Sequence, residues 1–177
     1  MRQPASILIL GLGVMGCAPR GASTTSPASN PDPADRAEVI AAVQGTFDAM
    51  RTHDVEALRA LVMPGAIIVP VRAKDGVVTA GLVTDEQFIA GTAGDGPSID
   101  ERLLGEPEVR VDGPLATVWA PYEVYVDGAR IHCGVDAIQL AQLDGHWRIT
   151  AITYTADPDG CPDEVDSDQQ GRGGTSR

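Results

Sequence analysis

The sequence predicts an α+β domain in which a curved antiparallel sheet, a half-barrel, wraps around N-terminal helices. Three observations carry that prediction. Apolar residues recur at helical spacing in the first part of the chain, from Val39 to Val62. Runs of β-formers dominate the second half. Three Asp-Gly pairs, Asp112-Gly113, Asp127-Gly128 and Asp144-Gly145, separate those runs, and Asp-Gly suits tight hairpins because both central residues of such a turn need positive φ. A meander built this way has one apolar face, which the preceding helices must cover.

The chain has 177 residues, of which 43% are apolar and 21% charged, so it is sized for one globular domain. Its formal charge of −12 excludes a nucleic-acid partner, since a phosphate backbone would be repelled. The ends differ from the middle. Residues 1–34 carry only Arg2, Arg20 and Asp32, and residues 157–177 hold six acids against Arg172 and Arg177. The large apolar residues concentrate in 35–156, which is the expected folded unit.

Residues 1–17 read as a leader. Arg2 precedes a short apolar run from Ile7 to Met15, well below the ~20 residues needed to span a bilayer. The run ends in Val14-Met15-Gly16-Cys17, which resembles the bacterial lipobox. That resemblance implies a lipoprotein signal peptide in which Cys17 is lipidated, becomes the mature N-terminus and anchors the protein to a membrane of the cell envelope. An ordinary cleaved signal, giving a secreted or periplasmic protein, is the alternative. Residues 18–34, rich in Ala, Ser, Thr and Pro, read as a flexible tether.

From Asp35, the residues Val39, Val43, Phe47 and Met50 predict a first helix. Asp35 with Glu38 forms a capping box, and Asp32-Pro33 offers a start one turn earlier. Thr52-His53-Asp54 breaks it, Asp54 caps a second helix through Leu61 and Val62, and Pro64-Gly65 ends that one. Ala66 to Val71 reads as a strand with Lys74-Asp75-Gly76 as its turn. Thr84, with Gln87 three residues on, starts a short third helix, and Gly91 to Pro97 is loop. Strands are then expected over Leu103–Val111, Leu115–Val126, Ala129–Leu143 and His146–Thr155. The acidic tail, 157–177, reads as a solvated, disordered end.

Two-residue loops at Asp127-Gly128 and Asp144-Gly145 set a register and sort side chains onto two faces. One face carries Trp119, Pro121, Glu123, His132, Gly134, Asp136, Ile138, Leu140, Trp147, Ile149, Ala151 and Thr153. The other carries Val118, Ala120, Tyr122, Val124, Ile131, Cys133, Val135, Ala137, Gln139, Arg148, Thr150, Ile152 and Tyr154. Both tryptophans and the Ile138–Leu140–Ile149 cluster assign the first face to the concave side, although a single bulge would flip part of the list. Glu123 then stands opposite His132 and Trp119 opposite Asp136. Three ionisable groups inside a curved sheet must be paired or wet, and an apolar cavity with a few converging polar groups is the usual form of a small-molecule site. Trp119, Glu123, His132, Asp136 and Thr153 are the candidate ligand-binding residues. A Glu–His–Asp network that merely satisfies itself is the structural alternative.

Glu38-Val39-Ile40 leading to Phe47, and His53-Asp54-Val55-Glu56-Ala57-Leu58, resemble the opening helices of the nuclear transport factor 2-like superfamily. The stretch from Trp119-Ala120-Pro121-Tyr122-Glu123-Val124-Tyr125 through His132-Cys133-Gly134-Val135-Asp136-Ala137 to Gly145-His146-Trp147-Arg148-Ile149 is similar to its SnoaL-like and lumazine-binding-like bacterial members. The resemblance covers 36–156. It implies a cone-shaped α+β barrel with an open-ended pocket, and it allows a homodimer. The superfamily hosts isomerases, dehydratases, polyketide cyclases and non-catalytic binding modules, so fold alone selects no function. Two readings follow. One is a lipid-anchored module whose pocket holds a small apolar ligand or a partner segment. The other is an acid/base isomerase, dehydratase or cyclase with Asp136 as base and His132 oriented by Glu123. The Tyr–Asp arrangement of ketosteroid isomerase has no match here, since Tyr122 falls on the outer face in this register.

No cofactor is indicated: Gly11-Leu12-Gly13 lies in the leader, without the strand–turn–helix setting of a nucleotide loop. The histidines do not cluster at metal-ligand spacing, so no metal is expected, and His53 and His146 read as solvated. With Cys17 lipidated, Cys133 and Cys161 remain. The register sets Cys133 opposite Ala156, and Asp157-Pro158-Asp159-Gly160 reads as a turn that returns Cys161 beside it. A Cys133–Cys161 disulfide is therefore expected, as an oxidising compartment permits.

Overall fold

The computed structural model describes residues 31–162. Leader, Cys17, most of the tether and the tail beyond Pro162 lie outside the described residues.

Helix α1 spans Pro33–Thr52 and takes the earlier of its two starts. Asp32 accepts a hydrogen bond from the Ala34 N–H at 2.8 Å, and Pro33 supplies a preset φ where no donor is needed. Val39, Val43, Phe47 and Met50 are buried on one stripe. His53 ends the helix in the left-handed region at φ 56°. Asp54 then caps α2, Val55–Leu61, by accepting from the Ala57 N–H.

Pro64-Gly65 does not terminate α2. The helix stops at Leu61, and Val62 already pairs with Ile149 as the first residue of strand β1, Val62–Lys74. Gly65, at φ 87°, sits inside the irregularity that separates the Val62 and Ile67 pairings. Strand β2 is Val77–Ala80 and β3 is Val83–Thr84, both paired antiparallel to β1. Helix α3, Asp85–Thr92, carries the full capping box between Thr84 and Gln87. The expected strand Leu103–Val111 is two strands, β4 (Ile99–Leu103) and β5 (Glu108–Asp112), because Gly105 (φ 76°) and the donorless Pro107 interrupt it. Each pairs with a different half of β6, Leu115–Val126. Strands β7 (Ala129–Leu143) and β8 (His146–Thr155) complete the sheet.

Asp127-Gly128 and Asp144-Gly145 have positive φ at both residues, as a two-residue hairpin loop requires. At Asp112-Gly113 only Gly113 is positive, and the loop residues are Gly113-Pro114, flanked by the Asp112–Leu115 pair. The sheet order is β2-β1-β8-β7-β6-β4. The sheet is antiparallel throughout except where β1 runs parallel to β8. Hairpin-linked neighbours must be antiparallel, whereas β1 reaches β8 through everything between them and is free of that constraint. The curved, unclosed sheet covers α1 and α3, and their interface is the core.

Two bulges change the register. Val126 pairs with Ala129 and Tyr125 with Arg130, but Val124 pairs with His132, leaving Ile131 extra. Leu140 pairs with Ile149, but Gln139 pairs with Ala151, leaving Thr150 extra. A one-residue slip exchanges faces. On β7, Asp136, Ile138 and Leu140 face inward as expected. On β6 the inward set is Ala116, Val118, Ala120, Tyr122 and Val124, and past the second bulge β8 turns Ile152 and Tyr154 inward in place of Ala151 and Thr153.

The Cys133–Cys161 disulfide is present, with Cα atoms 5.0 Å apart. Cys133 exchanges two backbone hydrogen bonds with Asp157, and the Asp157 side chain accepts from the Asp159 N–H to make the turn. The second bulge, at Thr150, thus moves the partner of Cys133 from Ala156 to Asp157 without preventing the bond.

Candidate functional site

Between the concave sheet and helices α1 and α3 lies a cavity of about 280 Å³. Phe47 and Met50 of α1, Phe88 of α3, and Ile68, Val124 and Ile152 of the sheet make its walls apolar. Into it the strands project four polar side chains close to one another: Glu101 from β4, Tyr122 from β6, and His132 and Asp136 from β7, with Tyr154 of β8 beside them.

Asp136 is only 1% exposed. No protein donor among the described residues reaches either of its carboxylate oxygens except the Glu101 carboxyl, which donates only when it carries a proton. The pair therefore works as a proton-sharing unit. Burial, then the Asp136 charge, holds the Glu101 carboxyl well above the usual range, although the residue as a whole is only half-buried. Burial pushes Asp136 up to about 7, against the opposing effect of the hydrogen bond from Glu101. Both carboxyls are raised, and the pair as a unit retains a proton to near neutrality.

The aromatic groups are interlocked. Tyr122 donates its hydroxyl proton to the Thr155 carbonyl at 2.7 Å, and its oxygen lies 3.3 Å from His132 Nδ1. Because the hydroxyl proton is committed to Thr155, the His132 contact requires the proton on Nδ1, which leaves Nε2 as the basic nitrogen. Burial, assisted by the Arg72 charge, lowers the His132 pKa and favours that neutral ring. Tyr154 stacks on His132 with centroids 6.4 Å apart and meets Tyr122 edge-on. Burial raises both tyrosines, so each stays a hydroxyl.

Of the five ligand-binding candidates, the structure brings His132 and Asp136 together in the cavity. The other three face outward, because the bulges at Ile131 and Thr150 invert their strands relative to β7. Trp119 is 57% exposed on the convex side. Thr153 shares a shallow outer groove with it. Glu123 pairs with Cys133 instead of His132 and lies 3.6 Å from Arg130 in an ion pair, so Tyr122, not Glu123, orients His132. His53 is half-buried, its Nδ1 2.7 Å from the Thr92 carbonyl at the end of α3, whereas His146 is exposed.

Sequence reasoning missed Glu101, Tyr122 and Tyr154. A signal existed for the first two. Ile99, Glu101 and Leu103 alternate on one face of β4, and Ala116, Val118, Ala120, Tyr122 and Val124 form an unbroken period-two run that outweighs Trp119 as a guide to the buried side. Among the described residues, no group of three or more His, Cys, Asp or Glu side chains is placed to hold a metal ion.

No protein-family model and no curated protein matches the sequence. Solved structures do match the fold. A nuclear transport factor 2-like protein from Cytophaga hutchinsonii superposes with a TM-score of 0.57 at 17% identity, over 72% of this chain and 100% of that one. One from Silicibacter pomeroyi gives 0.50 at 20% identity, over 70% and 97%. A third, from Streptomyces avermitilis, gives 0.53 at 17% identity, over 70% and 96%. The helices α1–α3, laid into a bulged and unclosed sheet with a cavity between the layers, are the fold of the nuclear transport factor 2-like proteins.

Proposed function

We propose that this domain binds a small, largely apolar molecule in the cavity, with a polar group of that molecule resting on Asp136. One observation carries the reading: the Asp136 carboxyl is almost wholly buried in an apolar cavity with no donor among the described residues except the Glu101 carboxyl. Buried acceptors are satisfied as a rule, and a ligand donor satisfies this one. The cavity volume is near the lower end of the ~300–1,000 Å³ typical of small-molecule sites.

The same reading sets the domain at the cell envelope, tethered through a lipidated Cys17 by residues 18–34. The Cys133–Cys161 disulfide supports a non-cytoplasmic setting. No helix among the described residues is long and apolar enough to cross a membrane. Palmitate labelling of cells expressing the full chain is expected to mark wild type and to leave Cys17→Ser unlabelled.

A second reading, acid/base catalysis by an isomerase, dehydratase or cyclase, is favoured by the carboxyl pair. Asp136, raised to about 7, suits the proton acceptor, and the Glu101 carboxyl shares a proton with it. Native mass spectrometry of the purified chain separates the two readings. A binding module releases the same molecule from wild type, in greater amount than from Asp136→Asn. A dehydratase leaves substrate on Asp136→Asn and product, lighter by one water, on wild type; an isomerase or cyclase gives equal mass and altered retention. Equal recovery of one molecule from both proteins removes Asp136 from the site.

A further inference from the structure

The reading of the cavity as a ligand site leaves the chemistry of the ligand open, and the charges around the cavity narrow it. A carboxylate only accepts hydrogen bonds. Glu101 and Asp136 together present four oxygens and share one proton, and no donor beyond that proton is supplied to Asp136 by the described residues. An alcohol or phenol would add a single donor. An ammonium adds two or three, together with the positive charge that a desolvated carboxylate lacks.

The surroundings fit a cation at this depth. Facing the pair are Tyr122 from β6, His132 from β7 and Tyr154 from β8, all neutral, and α1 and α3 contribute no titratable side chain to the cavity. Arg72 of β1 supplies a positive charge near the rings, lowering the His132 pKa and opposing the upward shift of both tyrosines. The chain as a whole, at −12, raises the local concentration of cations.

We infer that the cavity takes a monocationic amine on a small apolar body, its ammonium N–H groups donating to the Asp136 carboxylate and its body lying against Phe47, Met50 and Phe88. This rests on the ligand-site reading above. Because the ammonium needs Asp136 ionised, binding strengthens as pH rises through the titration of that group near 7.

Calorimetric titration of the purified full chain with three probes of matched shape tests the inference: 2-phenylethylamine, 2-phenylethanol and phenylacetate. The amine is expected to bind most tightly at pH 8, with its association constant falling about tenfold at pH 6, as ionisation near 7 requires. Asp136→Asn, which is isosteric, is expected to erase the preference for amine over alcohol. Glu101→Gln, whose amide still donates to Asp136, is expected to retain it. Alcohol binding as tightly as amine at pH 8, with loss on Asp136→Asn, overturns the amine class while leaving the cavity as the ligand site. Phenylacetate binding most tightly overturns it in favour of Arg72 as the anchor. Failure of all three probes overturns both the inference and the reading beneath it.

Discussion

The carboxyls of Glu101 and Asp136 lie within hydrogen-bonding reach of each other on the concave side of the sheet, Glu101 on β4 and Asp136 on β7, with β6 between them. Two carboxylates so placed in a desolvated cavity cannot both ionise cheaply, and the proton they retain has consequences for stability as well as for binding.

The first consequence is an inverted pH dependence. Asp136 goes from 3.8 in the unfolded chain to about 7 in the fold. Between those values the unfolded state has released its proton and the folded state has kept it, so stability falls as pH rises through this window. Asp136→Asn removes the penalty. In thermal unfolding, the variant is expected to match wild type near pH 4 and to exceed it at pH 8 by roughly 2–4 kcal/mol. A variant less stable than wild type at pH 8 would show that the carboxylate is held by donors absent from this arrangement.

The two tryptophans separate the observed register from the one read directly from hairpin loops. Trp147 is 5% exposed and Trp119 is 57% exposed. Trp147→Ala is expected to cost about 3–5 kcal/mol in urea unfolding, the range for a buried aromatic. Trp119→Ala is expected to stay within about 1 kcal/mol. Comparable losses at the two positions would restore Trp119 to the inner face.

That contrast also marks how far the sequence could be read. The strand limits Leu115–Val126, Ala129–Leu143 and His146–Thr155 follow from Asp-Gly punctuation alone, because a turn that needs positive φ leaves a local signature. Asp136 and His132 follow from alternation along one strand. The partners across strands do not. The extra residues Ile131 and Thr150 carry no distinguishing chemistry, and each shifts everything beyond it by one position. Glu101 was hidden differently, since its strand pairs with β6 and lies outside the meander's own register.

The disulfide closes a loop of sequence separation 28. In the chain-entropy account such a loop is worth roughly 2–4 kcal/mol, lost when Cys133 and Cys161 are both changed to Ala. The variant is expected to unfold at correspondingly lower urea concentration yet keep its far-ultraviolet circular dichroism spectrum, because β8 remains held by β7 and β1. Wild type under reducing conditions is expected to follow the variant. Identical midpoints for wild type and variant under oxidising conditions would mean the bond constrains nothing in the unfolded chain.

Gly134 connects that end of the sheet to the cavity. A Cβ on Gly134 would sit 1.8 Å from the Thr155 carbonyl oxygen, a backbone atom that cannot rotate aside. That same oxygen accepts the Tyr122 hydroxyl, and Tyr122 in turn holds His132. Gly134→Ala is therefore expected to cost about 1–3 kcal/mol or more through the forced shift of β8, and to displace the acceptor on which Tyr122 depends. Tyr122→Phe alone should lose about 1–2 kcal/mol by removing that hydrogen bond. If the carbonyl links the two, the double variant loses less than the sum, with an interaction of about 0.5–1.5 kcal/mol in a double-mutant cycle. Strict additivity would show that Tyr122 finds another acceptor once Thr155 moves, and that the orientation of His132 does not pass through this backbone atom.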